Sequence, residues 1–478
     1  MTYETVIGLE VHVQLSTASK MFCACAAAFG APPNTLTCPV CLGLPGSLPA
    51  LNRRAVELGI RTALALECRI HPESQFHRKN YYYPDLPKNY QISQYQYLTH
   101  PPLATGGTLS VPSGKAVRRV GIRRVHLEED TGKLVHVAGR SLVDYNRAGV
   151  PLMEVVTEPD LRSAEEARAF LIHLRAVLQF AEVTSGRLEE GTLRCDANLS
   201  LRPPGGPHGI RTEIKNMNSL RSVERALRFE EARQRQLLDG GNPVAQETRH
   251  WDEGREITFS SREKEEAQDY RYFPEPDLVP VQIDAAQVEG VRAGLPELPD
   301  ARRRRYVEAF GLPEHDAAVL TATRSMAEFF ERAAAALPKP KVVSNWLIGD
   351  VSAYLNAAGR EIDQVPVPPE SLAALLALVE AGTLSGPSAK EVLEEMLRTG
   401  RTAEVIVAER GLVQISDEAM LDKVIQEVIT EHPGPVGDVG AGKVQAVTFL
   451  VGQVMKKTRG RANPALVNRL IRERLRVP

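Results

Sequence analysis

No stretch of the 478-residue chain approaches the roughly 20 consecutive apolar residues that a membrane span needs. The opening segment, MTYETVIGLEVHVQL, lacks a basic region followed by a continuous apolar one, so no secretory signal is visible and a cytoplasmic location is expected. Cysteine is scarce. Of six cysteines, four (Cys23, Cys25, Cys38 and Cys41) fall within nineteen residues, which is not how a large secreted domain spreads its disulfides. Net charge is nearly absent at −2, which neither favours nor excludes a polyanionic partner. Low-complexity segments and internal repeats are missing too. What is present is an ordinary globular composition, 43% hydrophobic and 25% charged, on a chain too long for one core; two or three domains are expected.

Charge is uneven even though it sums to little. Residues 455–478 carry Lys456, Lys457, Arg459, Arg461, Arg469, Arg472, Arg474 and Arg476 against Glu473 alone, which suits a local contact to phosphates. Up to about residue 290 the text is strand-like, with short alternating segments and many Gly, Pro and Asn turns. Two helices interrupt it. One opens at Ser163 with Glu166 three residues on, a capping-box pattern, and runs through Leu171, Leu174 and Leu178; the other spans about 219–239. After about residue 295 short helices follow one another, stopped at Gly382, at Gly400 and at Pro433-Gly434, with a last helix starting at Asn463-Pro464. The fold class expected is therefore α+β: a mixed or antiparallel sheet domain over residues 1–293, a helical domain over 294–405 and a small basic helical domain over 406–478.

The cysteine cluster is the most specific local signal. A C-x-C pair and a C-x-x-C pair, twelve residues apart, supply the four soft ligands of a closed tetrahedral zinc site over residues 23–41. Four protein ligands leave no position for a reacting water, so such a zinc is structural. In the first strand Ile7, Leu9, Val11, Val13 and Leu15 alternate with Gly8, Glu10, His12 and Gln14, which puts Glu10 and His12 on one face about 7 Å apart. Alone, that face could simply be solvated. More carboxylates of the same kind follow: Glu128, Glu129 and Asp130 after His126; Glu154 inside an apolar run, where an unpaired carboxylate is costly; and Asp196 with Asn198 on an alternating strand. Carboxylates mixed with Arg and Lys suit Mg²⁺ bridging phosphate oxygens. Residues 78–97 hold six of the twelve tyrosines beside Arg78, Lys79 and Lys88, a pattern that fits either an aromatic satellite core or stacking against an unpaired nucleotide. Residues 437–443 read G-x-x-x-x-G-K, but Val444 stands where a phosphate-binding loop needs Ser or Thr.

Long ordered strings, among them ETVIGLEVHVQL, RKNYYYPDLPKNYQISQY, HLEEDTGK, DYNRAGVPLMEVVTEPD, LEEGTLRCDANLSLRP, IKNMNSLRSVERAL and DYRYFPEPDLVP, resemble the B subunit of the heterotrimeric Glu-tRNA(Gln)/Asp-tRNA(Asn) amidotransferase. SNWLIGDVSAYLN and GKVQAVTFLVGQVMKKTRGRANPALVNRLI continue the resemblance, which covers essentially the whole chain. It implies a cradle-like first domain and a tail domain that meets tRNA. It further implies an ATP- and Mg²⁺-dependent carbon–nitrogen ligase: the side-chain carboxylate of misacylated Glu-tRNA(Gln) or Asp-tRNA(Asn) is phosphorylated, then amidated with ammonia from glutamine. The partners implied are an amidase A subunit and a small C subunit. On this reading Glu10, His12, Glu129 and Glu154 hold Mg²⁺, with Glu128 a candidate additional ligand, and His12, Glu128, Lys79 and Asp196 take part in the chemistry. Arg78 and Asn198 meet the nucleotide, Tyr81 and Tyr82 meet the tRNA terminus, and Lys456, Lys457, Arg459 and Arg461 meet tRNA phosphates. The alternative from another class is a tRNA-binding scaffold whose zinc and acidic strands are purely structural.

Overall fold

The computed structural model describes residues 2–95, 100–113, 116–187, 191–263, 270–412, 417–440, 443, 445–458 and 462–475. The chain divides into two compact units, residues 1–299 and 300–478. In the first unit the elements that matter are β1 (Glu4–Gln14), α1 (Arg53–Ala65), β2 (Phe76–Asn80), β3 (Tyr90–Gln94), β4 (Ala104–Ser113), β5 (Ala116–Glu129), β6 (Pro151–Thr157), α2 (Ala164–Phe180), β7 (Leu193–Arg202), β8 (Thr212–Met217), α3 (Leu220–Asp239), β9 (Glu247–Asp252) and β10 (Ile257–Glu263). Among the described residues twelve strands form one sheet whose main path runs β10-β9-β8-β7-β1-β6-β5-β3-β2 and ends on Phe273–Pro274. Its pairs are antiparallel except β8 with β9, so the sheet is mixed and the fold α+β, as the patterning predicts.

Period-two alternation decides which face is which. Ile7, Leu9, Val11 and Val13 of β1 are all but fully buried in one core with Phe170, Leu171, Leu174 and Leu178 of α2, Ala226 and Leu227 of α3, and Leu58 and Ile60 of α1. Each such aliphatic side chain contributes on the order of 1.5–3 kcal/mol by leaving water. Gly59 lets α1 approach closely: a Cβ there would meet Leu103 Cδ2 at 2.5 Å and Leu127 Cδ2 at 3.2 Å. Ser163 caps α2 as predicted, accepting from the Glu166 N–H at 3.2 Å. Glu166, however, accepts from the Arg162 N–H at 2.8 Å and joins Arg118 at 2.7 Å, so its carboxylate ties the helix start to β5 instead of closing a capping box. With helices on one face of the sheet, the opposite face of the central strands keeps the polar set.

The second unit is helical among its described residues. Pro369–Glu380, Gly386–Thr399, Ala403–Arg410, Glu418–Glu431 and Pro464–Leu475 correspond to expected helices or lie between them. Gly400 ends its helix at φ +74°, and Asn463 Oδ1 accepts from the Ala465 N–H at 3.0 Å. The stop at Pro433-Gly434 holds, since the Glu418–Glu431 helix ends just before it. Pro433 opens a further helix, Pro433–Gly440, because proline at a first helical turn forfeits no internal hydrogen bond. That helix takes in the first four residues of the motif at 437–443, and Lys443 pairs with Asp438 at 2.9 Å. Leu421, Ile425, Val428, Leu450, Val454, Val467 and Ile471 close a core of their own near the chain end. No helix among the described residues is long and apolar enough to cross a membrane.

Candidate functional site

Strand register assembles the polar face. Opposite Glu10 stands Asp196, opposite His12 stand Glu154 and Arg194, and opposite Glu154 stands His126. Residues as far apart in sequence as His12 and Glu154 thus meet side by side, because even-numbered positions of β1, β5, β6 and β7 project to one face. His126 Nε2 lies 2.9 Å from Glu154 Oε2 and 3.7 Å from Glu128 Oε2, and His12 Nδ1 lies 3.2 Å from Glu128 Oε1. Ser93 Oγ donates to Glu128 Oε2 at 3.3 Å. Donor atoms of His126, Glu128 and Glu154 all fall within 4.8 Å of one another, a spacing suited to one metal ion.

The electrostatics follow from burial plus pairing. Burial opposes charge on Glu128, yet His12 and His126 hold its carboxyl well below the usual carboxylate range. Glu154 is likewise pushed up by burial and pulled down further by His126, to about 2. Burial alone would lower the His12 pKa; hydrogen bonding and charge from Glu128, with Glu154 and Asp196, lift it to about 9. Glu10 goes the other way: burial and the charges of Glu154 and Glu213 raise its carboxyl. The site therefore keeps two carboxylates ionised in a buried setting and has one more, Glu10, poised at its edge. Asn198 Nδ2 donates to Glu10 Oε1 at 3.1 Å, and a cavity of about 300 Å³ bordered by Glu10, Arg123, Asn198, His208 and Arg211 adjoins them.

Cations surround the cluster. Lys215 bonds Asp196 at 2.5 Å and Glu213 at 3.1 Å, and against the opposing effect of burial those carboxylates hold its pKa above the ordinary lysine value. Arg194 pairs with Asp130 at 2.8 Å. Lys79 lies over aromatic rings, 4.9 Å from the Tyr270 centroid and 5.8 Å from that of Tyr81, with no carboxylate partner among the described residues. Tyr81 packs edge-on to Tyr270, and Tyr272 stacks on Tyr95 at 3.8 Å. Burial, with Glu128 among the nearby charges, raises the Tyr81 and Tyr272 hydroxyl pKa values, which locates both rings near the cluster.

Several expected residues stand elsewhere. Glu129 does not join Glu10, His12 and Glu154: as the neighbour of Glu128 in a strand it projects to the opposite face. There it pairs with Lys88, accepts from the Ile92 N–H at 2.9 Å and lines a separate cavity of about 200 Å³ with Phe22, Cys41 and Tyr90. Arg78 alternates away from Lys79. Its guanidinium is committed to Glu275 through two bonds of 2.8 Å and to Asp277 at 3.0 Å, so its charge is already neutralised. Tyr82, just past the end of β2, is 73% exposed. In the tail Lys456 is exposed, whereas Lys457 is held by Glu427 at 2.8 Å and Glu431 at 2.7 Å; Arg459 and Arg461 lie outside the described residues. The sequence pattern assigned no role to His126, Lys215, Tyr270 or Tyr272. The alternation His126-x-Glu128 contained the signal for the first of them.

The four cysteines do come together. Their sulfurs lie within 4.8 Å of one another, and all are free thiols. The Pro39–Leu42 turn, closed by Gly43 at φ +68°, aims the Cys38 N–H at Cys41 Sγ, 3.2 Å away. Hydrogen bonds from Cys23 and from that N–H, helped by Lys20, lower the Cys41 pKa to about 4, whereas burial pushes Cys25 up to about 11. One thiol already favouring the thiolate and three others in reach fit a soft divalent ion.

Comparison with known proteins adds identity to this geometry. Residues 5–289 match the GatB/GatE catalytic domain and residues 328–475 match the GatB domain. The chain is 59% identical over 480 residues to the B subunit of the aspartyl/glutamyl-tRNA(Asn/Gln) amidotransferase of Moorella thermoacetica, covering 99% of this chain and 100% of the relative. It is 54% identical over 479 residues to the protein of that name from Carboxydothermus hydrogenoformans, with 99% of each covered. The corresponding Geobacillus kaustophilus protein is 52% identical over 477 residues, again with 99% of each covered.

Proposed function

The chain belongs to the GatB/GatE family, as a B subunit of the tRNA-dependent amidotransferase, and on that premise we propose that its sheet face is where the misacylated amino acid is activated. The substrate is Glu or Asp esterified to tRNA, and the activating agent is ATP. The observation that carries this reading is the largely buried set His12, His126, Glu128 and Glu154, flanked by Glu10 and ringed by lysine, arginine and tyrosine. A purely structural role accounts poorly for it, since ionisable groups so far out of water stabilise less than an apolar filling of similar volume.

The reaction transfers a phosphoryl group and then exchanges it. A side-chain carboxylate oxygen of the esterified residue attacks the γ-phosphorus; the new O–P bond replaces the bond to the β-phosphate oxygen, and ADP leaves. Ammonia then attacks the acyl carbon, phosphate departs, a proton is lost and the amide remains. Positioning and charge relief, with no covalent protein nucleophile, are what such a transfer needs. His126, Glu128 and Glu154, with His12 and Glu10 adjoining, would hold Mg²⁺, which would supply positive charge to offset that of the phosphates. Lys79, free of a described carboxylate partner, supplies positive charge to the transferred group. The cavity beside Glu10 and Asn198, with Arg123 and Arg211 on its rim, receives the nucleotide phosphates. Tyr81, with Tyr270 and Tyr272, gives the tRNA terminus rings to stack against. We read the cysteine cluster as a structural zinc site and residues 406–478 as a tail that meets tRNA through Lys456 and its neighbours. An amidase A subunit would release ammonia from glutamine, and a small C subunit would hold the pair in a cytoplasmic heterotrimer.

The test is transfer of ³²P from γ-labelled ATP by the reconstituted complex with Mg²⁺ and no ammonia donor. Glu-tRNA(Gln), Asp-tRNA(Asn) and uncharged tRNA are supplied in turn. Label transfer that requires a misacylated tRNA is expected. No tRNA-dependent turnover, with tRNA still bound, would instead make this chain a binding scaffold.

A further inference from the structure

Lys20 is fully buried, at 0% exposure, and makes no ion pair with a carboxylate among the described residues, although Glu129 Oε2 lies 3.7 Å from where a Cβ on Gly149 would sit, beside Lys20 Cδ at 3.6 Å. Its Nζ donates to Cys41 Sγ at 3.6 Å and to the Tyr145 carbonyl at 3.3 Å. Taking an ammonium out of water costs several kcal/mol unless an anion faces it. Among the described residues the acidic group that it bonds is a cysteine thiol. The converse holds for the cysteines: four thiolates around a divalent ion leave surplus negative charge in a partly buried pocket.

The lysine is held from several sides. Its N–H donates to the Cys25 carbonyl at 2.9 Å, and its own carbonyl accepts from Asn52 Nδ2 at 3.1 Å. Gly149, at φ +85°, runs over its stem so closely that a Cβ there would sit 3.6 Å from Lys20 Cδ and 3.4 Å from Cys41 Cβ. The backbone that places Cys25 therefore also places Lys20, and the lysine stem reaches under the cluster from its buried side.

We infer that Lys20 is a positioning residue of the metal site: its ammonium hydrogen-bonds the Cys41 thiolate, offsets the surplus charge of a zinc–tetrathiolate centre and slows release of the ion. This rests on the zinc reading of the cluster. Partners of this kind tune metal affinity by about 10–100-fold where they have been removed.

The experiment compares the full chain with K20R, K20M and K20Q, measuring zinc content by elemental analysis and first-order zinc release to a chromogenic chelator. Wild type and K20R should each carry one zinc and lose it slowly; K20M and K20Q should lose it at least about tenfold faster. K20Q keeps a hydrogen-bond donor without the charge, so a K20M chain that fails to fold still leaves the K20Q-to-K20R comparison. Equal release rates in wild type and the neutral variants would overturn the role of Lys20 while leaving the zinc reading intact. A wild-type chain without zinc, purified from zinc-supplemented culture, would overturn the zinc reading itself.

Discussion

Two clusters of ligand-type side chains sit in the same sheet domain and are built in opposite ways. The cysteines come from nineteen consecutive residues, brought together by short turns, and they form a closed set of soft donors. His12, His126, Glu128 and Glu154 come from three separate strands and meet only through sheet register. They are nitrogen and oxygen donors, largely buried and charged; Glu10 on the same face borders a cavity, and Arg194 and Lys215 pair with the neighbouring Asp130 and Asp196. The first arrangement can stabilise the domain, and its four thiols would fill every position of a tetrahedral ion and leave none for a reacting water. The second gains little stability from its buried charges and has room beside it. Local closure goes with structure, and long-range assembly with chemistry.

That contrast can be broken by substitution. The largest effect expected is on the hard cluster: E154A should lower misacylated-tRNA-dependent phosphoryl transfer by at least about a hundredfold, as losing one preorganised charge-stabilising group does. Its zinc content should not change. Transfer within threefold of wild type would erase the functional half of the contrast. Next comes C38S or zinc removal by a chelator. A zinc-loaded domain at a thousand times its dissociation constant gains about 4 kcal/mol, so thermal unfolding should shift down by several degrees, while activity per folded molecule is retained. Full activity loss in a still-folded C38S chain would make the cysteine cluster a chemical participant. A smaller effect is expected for K79M: about tenfold in transfer, with unfolding temperature unchanged, because Lys79 touches only aromatic rings among the described residues. The smallest is S163A, which removes a helix cap far from either cluster and should cost about 1 kcal/mol of stability with no change in transfer.

Much of this was legible in the sequence, for reasons that can be named. Alternation in β1 gave the apolar face of Ile7, Leu9, Val11 and Val13 and set Glu10 and His12 on the other, because a strand's two faces are written directly in its period. The C-x-C and C-x-x-C spacing gave the cysteine cluster because its geometry is local. The same period-two argument, applied to HLEED, separates His126 and Glu128 from Leu127 and Glu129, which sets Glu129 off the face of Glu10, His12 and Glu154. The remaining misplacements are non-local. Arg78 finds Glu275 and Asp277 nearly two hundred residues away, and Lys215 finds Asp196 across a strand pair interrupted by a bulge. Tyr270 and Tyr272 reach the cluster from a segment whose own spelling, DYRYFPEPD, states no distance. Pro433 both follows the end of one helix at Glu431 and opens the next, and the stop signal alone does not state the second role.

The most direct test sets the neighbours Glu128 and Glu129 against each other. Phosphoryl transfer from γ-labelled ATP to misacylated tRNA, with Mg²⁺ and without an ammonia donor, is measured for E128Q and E129Q in the reconstituted complex. The opposite projection of the two side chains predicts that E128Q loses transfer by about a hundredfold or more, whereas E129Q stays within about tenfold of wild type. Equal losses, or a larger loss in E129Q, would contradict the assignment of the chemistry to the His12–His126–Glu128–Glu154 face.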